Sequence, residues 1–177
     1  MPRFVALLRG VNVGKGKRVP MAGLRALVEE LGGGDIATVL NSGNIVFTHP
    51  GRSAAKQARA LAEGIEARFG VATPVIVKSA AEFAAIVAGN PMPPRDADHS
   101  RFVVAFAADA DGLEPLRALQ ARAVAPERFV VDDRAAYLHC PGGLLESPTA
   151  VALLGRAGKT VTTRNWATVL KLAALAG

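Results

Sequence analysis

The strongest constraint on this chain is an order of apolar periodicities that runs, stops and then runs again. Phe4–Leu8 is an apolar run too short for a helix and reads as a buried strand. Beyond a glycine-rich basic segment, Leu24, Leu27, Val28 and Leu31 recur at helical spacing behind Pro20, and Gly32-Gly33-Gly34 stops that helix. Ile36–Leu40 and Ile45–Thr48 are strand-like and are joined by Asn41-Ser42-Gly43-Asn44, a hairpin signal. Leu61, Ile65 and Phe69 mark one face of a helix over Ser53–Arg68. Pro74–Lys78 is the next strand. Ser79-Ala80-Ala81-Glu82 has capping-box spacing ahead of a helix that Gly89 ends.

The stretch Asn90–Ser100, N-P-M-P-P-R-D-A-D-H-S, breaks this pattern with three prolines and reads as a linker. The order then begins again. Phe102–Ala107 is a strand, Leu113–Arg122 a helix, Arg128–Val131 and Ala136–His139 strands, and Pro148–Gly155 a helix. A short strand near Thr160–Thr162 and a last helix over Arg164–Leu175 complete the chain. The succession β-α-β-β-α-β is the split-βαβ, ferredoxin-like order, an antiparallel sheet with its helices on one face. The sequence predicts an α+β protein of two tandem ferredoxin-like units, 1–92 and 93–177. The C-terminal helix of the second is expected to pack back on the first. The halves share element order and no evident sequence identity.

Composition fits this plan. A chain of 177 residues suits one domain or two small ones, and a hydrophobic half is enough to build a core. No apolar run approaches the roughly 20 residues of a membrane span, and Phe4–Leu8 before Arg9 is too short for a signal peptide. The expectation is a cytoplasmic protein without a membrane partner. One cysteine, Cys140, excludes a disulfide framework and a cysteine-rich zinc site, and His49, His99 and His139 lack the spacing of a helical zinc pair. Neither a metal nor a cofactor is expected. His139 and Cys140 are adjacent, so on a strand they face opposite ways, and Cys140 reads as a small buried hydrophobe. Glu29-Glu30 and Asp132-Asp133 do not stand out as a catalytic carboxylate pair.

Charge is more informative once located. The chain has 21 Lys and Arg against 15 Asp and Glu, for a net +6. Residues 1–28 hold Arg3, Arg9, Lys15, Lys17, Arg18 and Arg25 and no acid, so the whole excess lies there. A basic excess confined to one segment points to a local anion site more than to a generally basic surface. Within it, Arg9-Gly10-Val11-Asn12-Val13-Gly14-Lys15-Gly16-Lys17-Arg18 joins the first strand to the first helix. Glycines let successive N–H groups turn toward an anion. Neither phosphate fingerprint fits: a P-loop started at Gly10 meets Lys15 where its second glycine belongs, and G-x-G-x-x-G started at Gly14 ends on Val19. A flexible loop with solvated lysines is the competing reading.

Two more segments carry polar chemistry. Turn geometry alone explains Gly43 and one asparagine of Asn41-Ser42-Gly43-Asn44, and explains the other polar residues less completely. In Thr162-Thr163-Arg164-Asn165-Trp166, Thr163 is placed to cap the last helix, with Trp166, Val169, Leu170 and Ala173 as its apolar face. Arg164 then falls in the first helical turn, where a cation is unfavourable unless an anion lies beside it. A carboxylate partner, or water, serves equally well. RNA recognition by stacking is not supported, because the third strand, N-I-V-F-T, offers one aromatic, Phe47.

Three segments together carry a resemblance: F-V-A-L-L-R-G-V-N-V-G-K-G-K-R-V-P-M-A-G-L-R, L-N-S-G-N-I-V-F and T-T-R-N-W-A-T-V-L-K-L. With Y-L-H-C-P-G-G-L in the second half, they make the chain similar, over nearly its whole length, to a bacterial family known as domain of unknown function 1697. That family has Ser-Lys-Leu after the second-half turn, whereas Ser147 here is followed by Pro148, which puts any family role of Ser147 in doubt. The resemblance implies small α+β proteins with this duplicated architecture and no established biochemical role. Its recurrent positions fall on amide, hydroxyl and guanidinium groups, and it strengthens the anion-binding reading of the first loop.

These readings converge on one expectation: a protein that binds an anionic, phosphate-bearing small molecule or a nucleic-acid backbone. The residues expected to hold it are Arg9, Gly10, Asn12, Gly14, Lys15, Lys17, Asn41, Ser42, Asn44, Arg164 and Asn165, with the two arginines forking onto the anion. The alternatives are an enzyme acting on a phosphorylated metabolite and a purely structural role for these segments.

Overall fold

The structure is a computed structural model describing residues Met1–Gly177. The chain divides into two compact units, Met1–Ala85 with Lys171–Gly177, and Ile86–Leu170.

In the first unit the strands are β1 (Arg3–Leu8), β2 (Gly34–Thr38), β3 (Asn44–Thr48) and β4 (Val75–Ser79), with helices α1 (Met21–Glu30) and α2 (Ala54–Phe69). The sheet order is β2-β3-β1-β4, and every pair of neighbours is antiparallel. This is the ferredoxin-like arrangement, which sets the third strand beside the first. Leu7 pairs with Asn44, so the end of β1 and the start of β3 meet at one edge of the ladder. Phe4, Ala6 and Leu8 alternate toward α1 and α2 and pack on Ile45, Phe47, Leu24, Leu27, Leu61 and Ile65. Leu31 closes α1 as its C-cap and is partly exposed, unlike the three apolar residues before it.

Helix α3 (Ala80–Ala88) opens with a reciprocal capping box. The Ser79 N–H donates to Glu82 Oε2 at 2.8 Å and the Glu82 N–H to Ser79 Oγ at 3.2 Å. The proline-rich stretch beyond it is irregular to Arg95 and then forms a 3-10 turn over Asp96–Arg101.

The second unit repeats the plan. β5 (Phe102–Ala107), α4 (Glu114–Gln120), β6 (Arg128–Val131), β7 (Ala135–His139), α5 (Pro148–Leu154) and β8 (Val161–Asn165) follow in order, and the sheet runs β6-β7-β5-β8, all antiparallel. Val103, Ala105 and Ala107 face α4 and α5 and pack on Leu116, Leu119, Leu138, Ala150 and Leu153. Cys140 lies in this core, as its neighbours in sequence suggest.

The end of the chain differs from the sequence expectation. β8 runs to Asn165, so α6, spanning Trp166–Ala176, starts two residues later than the sequence predicts. The reason is the β5 ladder, which continues through Val104–Arg164 and Val103–Asn165 and outcompetes a helical start. The cap is therefore Asn165, not Thr163: Asn165 Oδ1 accepts the Thr168 N–H at 2.9 Å. The buried apolar track of α6 is Trp166, Val169, Leu172 and Ala176, and Leu170 faces outward.

Candidate functional site

The basic loop between β1 and α1 is pinned rather than floppy. Val11 and Val19 are buried at its two ends, and a single side chain ties it across the middle. Asn12 Nδ2 donates to the carbonyls of Val19 at 2.8 Å and Asn41 at 2.7 Å, while Asn12 Oδ1 accepts the Val19 N–H at 2.9 Å. The Asn12 N–H donates to the Lys17 carbonyl at 2.9 Å, and the Arg18 guanidinium donates to the Gly14 carbonyl. Gly10, Asn12, Gly14 and Lys17 all adopt positive φ, a backbone conformation that glycine takes up readily. Val13, Lys15, Gly16 and Lys17 are left at an exposed tip.

The Asn41-Ser42-Gly43-Asn44 turn is built the same way. Asn44 is buried, and its Nδ2 donates to the Val39 carbonyl and to Ser42 Oγ, both at 2.9 Å. Gly43, at φ 84°, accepts the Leu8 N–H at its carbonyl, and a Cβ there would lie 2.6 Å from Leu8 Cβ. The turn reading thus accounts for Gly43 and Asn44. Both Asn12 and Asn44 spend their amides on the backbone of the loop and turn, so they shape this region instead of presenting amides outward. Arg9, half-buried at the end of β1, is held through its backbone: its N–H donates to the Pro74 carbonyl at 3.1 Å and its carbonyl accepts from Thr73 Oγ1.

The structure also sorts the six cations of residues 1–28. Arg3 pairs with Asp35 at 3.2 Å and donates to the Leu175 carbonyl, and Arg25 pairs with Glu29 and donates to the Ile36 carbonyl at 2.6 Å. Arg9, Lys15, Lys17 and Arg18 lie on the loop itself, which contains no acidic residue. Under that loop a cavity of about 220 Å³ is lined by Asn12, Arg18, Val19, Pro20, Met21 and Asn41. It adjoins the N-terminus of α1, whose cap residue Pro20 has no side chain to satisfy the first-turn N–H groups and whose first turn has no acid. Sequence reasoning named Asn12 and Asn41 and passed over Arg18, which the +6 segment already contained.

Arg164 and Asn165 belong to the second unit. Arg164 is buried on a strand, not in a helical turn, and its Nη1 donates to Thr162 Oγ1 at 2.7 Å and to the Thr163 carbonyl at 2.8 Å. Burial pushes its pKa down to about 10, which leaves it protonated at neutral pH. Trp166 packs edge-on against Phe102, with ring centroids 5.6 Å apart, as a core residue. Ser147, set apart from the family pattern by the missing lysine, caps α5 by accepting the Ala150 N–H at 2.9 Å. His49 is equally structural: its Nε2 donates to the Leu31 carbonyl and its Nδ1 accepts from the Gly51 N–H. No cluster of three or more His, Cys, Asp or Glu is placed to hold a metal ion. No helix is long and apolar enough to cross a membrane.

Comparison with known proteins places this geometry. The family model described as "Protein of unknown function (DUF1697)" matches residues 1–137. The solved structure of the conserved bacterial protein SP0830 from Streptococcus pneumoniae is similar along its whole length, at 22 % identity and a TM-score of 0.73, covering 99 % of each chain. At that identity the likeness shows the shared fold. No curated protein matches the chain.

Proposed function

The chain belongs to the DUF1697 family of proteins of unknown function, and from its own residues we propose that the first unit binds a small phosphate-bearing anion under the basic loop. The observation that carries this reading is the uncapped N-terminus of α1 beside a cavity that Arg18 also lines. Orphan N–H groups at the positive end of a helix are a phosphate cradle, and a guanidinium adds two further donors. Arg9, Lys15 and Lys17 supply long-range attraction with no competing carboxylate on the loop. Asn12, by tying the loop to both Val19 and Asn41, fixes the cavity's shape before an anion arrives.

A nucleic-acid backbone is the larger version of the same chemistry. Phe47, the aromatic on the third strand, is buried against Phe4 and offers no stacking surface. Contact with nucleic acid would therefore run through phosphate alone and fall steeply with salt.

The test is an NMR titration of the full chain with inorganic phosphate, pyrophosphate and a short single-stranded oligonucleotide, each at several salt concentrations. Amide shifts are expected at Met21–Leu24 and Asn12–Arg18, with pyrophosphate binding weakened about tenfold or more by Arg18→Ala. Binding unaffected by Arg18→Ala, or no shift in this region with any of the three anions, would remove the reading.

A further inference from the structure

A second constellation lies wholly within the second unit and has no sequence motif to announce it. Arg128 on β6 and His139 on β7 are directly paired across the ladder, so their side chains leave the same face of the sheet. The 3-10 turn over Asp96–Arg101 brings Asp98 to the same place. Together with Met92, Pro94 and Arg95 these residues line a cavity of about 250 Å³.

Two groups facing this cavity make no side-chain hydrogen bond, the Asp98 carboxylate and His139 Nε2. The Asp98 side chain is only 15 % exposed, yet its carboxylate accepts no hydrogen bond. Its nearest side-chain nitrogens are Arg95 Nη2 at 3.5 Å and His139 Nε2 at 3.9 Å, both beyond hydrogen-bonding length. His139 Nε2 is itself buried without a partner. A largely buried carboxylate without a hydrogen-bond donor gains from a ligand that donates to it. Arg128, on the same wall, makes neither an ion pair nor a side-chain hydrogen bond, and its fork suits a carboxylate or phosphate.

We propose that this cavity is a binding site for a small zwitterion, an α-amino acid or a molecule of that size. Its ammonium sits on Asp98 and its carboxylate on Arg128. The two charges of such a ligand match Asp98 and Arg128, neither of which makes a side-chain hydrogen bond, whereas an anion alone leaves Asp98 as it stands. The volume fits this class, because it falls below the roughly 300 Å³ at which pockets for drug-sized ligands begin. The apolar side formed by Met92 and Pro94 is where a ligand's own side chain would rest. Arg95, long and exposed, reaches Asp98 from the solvent side and is free to swing aside for the ammonium.

The site is tested on the full chain by NMR titration with a panel of free α-amino acids, with acetate and ethylammonium as single-charge controls. The expected result is that at least one amino acid shifts the amides of Asp98, Arg128 and His139, and that each control binds at least about tenfold more weakly. Asp98→Asn keeps the shape and removes the charge, and Arg128→Ala changes an exposed side chain, so both variants are expected to fold. Each should weaken the amino acid about tenfold or more, and neither should alter pyrophosphate shifts at the first-unit loop. The proposal is overturned if no amino acid perturbs these residues, if acetate binds as tightly as the zwitterion, or if Asp98→Asn binds like the parent chain.

Discussion

Asn12 and Asn41 stand 29 residues apart in sequence, and the side-chain amide of the first donates to the carbonyl of the second at 2.7 Å. That bond, with the two to Val19, makes one asparagine the joint between the basic loop, the hairpin turn and the start of α1. Removing it strands two carbonyls and an N–H in a partly buried region. Asn12→Ala is expected to lower stability by about 1–3 kcal/mol, seen as a reduced urea midpoint at unchanged m-value. Amide exchange at Gly14–Arg18 should quicken by more than the global loss explains, because the loop loses its tie. A loop exchanging at the parent rate would show that Asn12 does not hold it.

Glycine in this region has two distinct uses, and alanine separates them. At Gly43 a Cβ meets Leu8 Cβ at 2.6 Å and Val11 Cγ2 at 2.9 Å, and φ is 84°. At Gly10 φ is 66° with nothing within 4 Å. Gly10→Ala carries backbone strain only, about 1 kcal/mol, whereas Gly43→Ala must also push β1 from the turn and should cost about 3 kcal/mol or more. Thermal melts of the two variants check the ranking.

The plan of the fold was legible because its signals were local. Phe102–Ala107 and Arg128–Val131 are apolar runs between clear breakers, and both are strands at those bounds. Ser79 and Glu82 announced a capping box that the hydrogen bonds complete. The last helix starts later than the sequence suggests because Thr163, Arg164 and Asn165 look like an exposed helix start. They occupy a strand only because β5 supplies a ladder, which is a tertiary fact. For the candidate site, the sequence located the basic loop but not the direction of its amides. Asn12 and Asn44 point inward because backbone groups there need partners. Asp98, Arg128 and His139 gave no signal, since strand pairing and one 3-10 turn bring them together from distant positions.

The reassigned cap of α6 gives a direct check. Asn165→Ala removes the acceptor of the Thr168 N–H and should cost about 0.5–2 kcal/mol. Thr163, the position at which the sequence suggested a cap, is a strand residue paired with Ala105, and Thr163→Val should stay within about 1 kcal/mol of the parent. Urea unfolding of both variants distinguishes a helix starting at Trp166 from one starting earlier. The reverse ranking would restore the earlier start.

Stability at alkaline pH should carry the signature of three buried groups. Burial raises the Cys140 thiol above its ordinary value of 9.0, against a weaker opposing bond from Ser147, and burial likewise raises the Tyr137 hydroxyl above 10.0. Tyr137 donates to the Ile86 carbonyl at 2.7 Å and is wholly buried. In each case the unfolded chain loses its proton first, so the native state binds more protons and stability falls as pH rises past the unfolded value. Arg164 acts in the opposite sense. Its pKa is lowered to about 10, so between there and its ordinary 12.5 the unfolded chain holds the extra proton and stability gains with pH. The first of these windows to open is the thiol's, because its ordinary value is the lowest. The urea midpoint is therefore expected to decline from about pH 9 upward in the parent chain. Cys140→Ala should postpone that decline until the tyrosine window near pH 10. A Cys140→Ala midpoint that follows the parent curve between pH 8.5 and 10 would mean that the thiol is not protected by the fold.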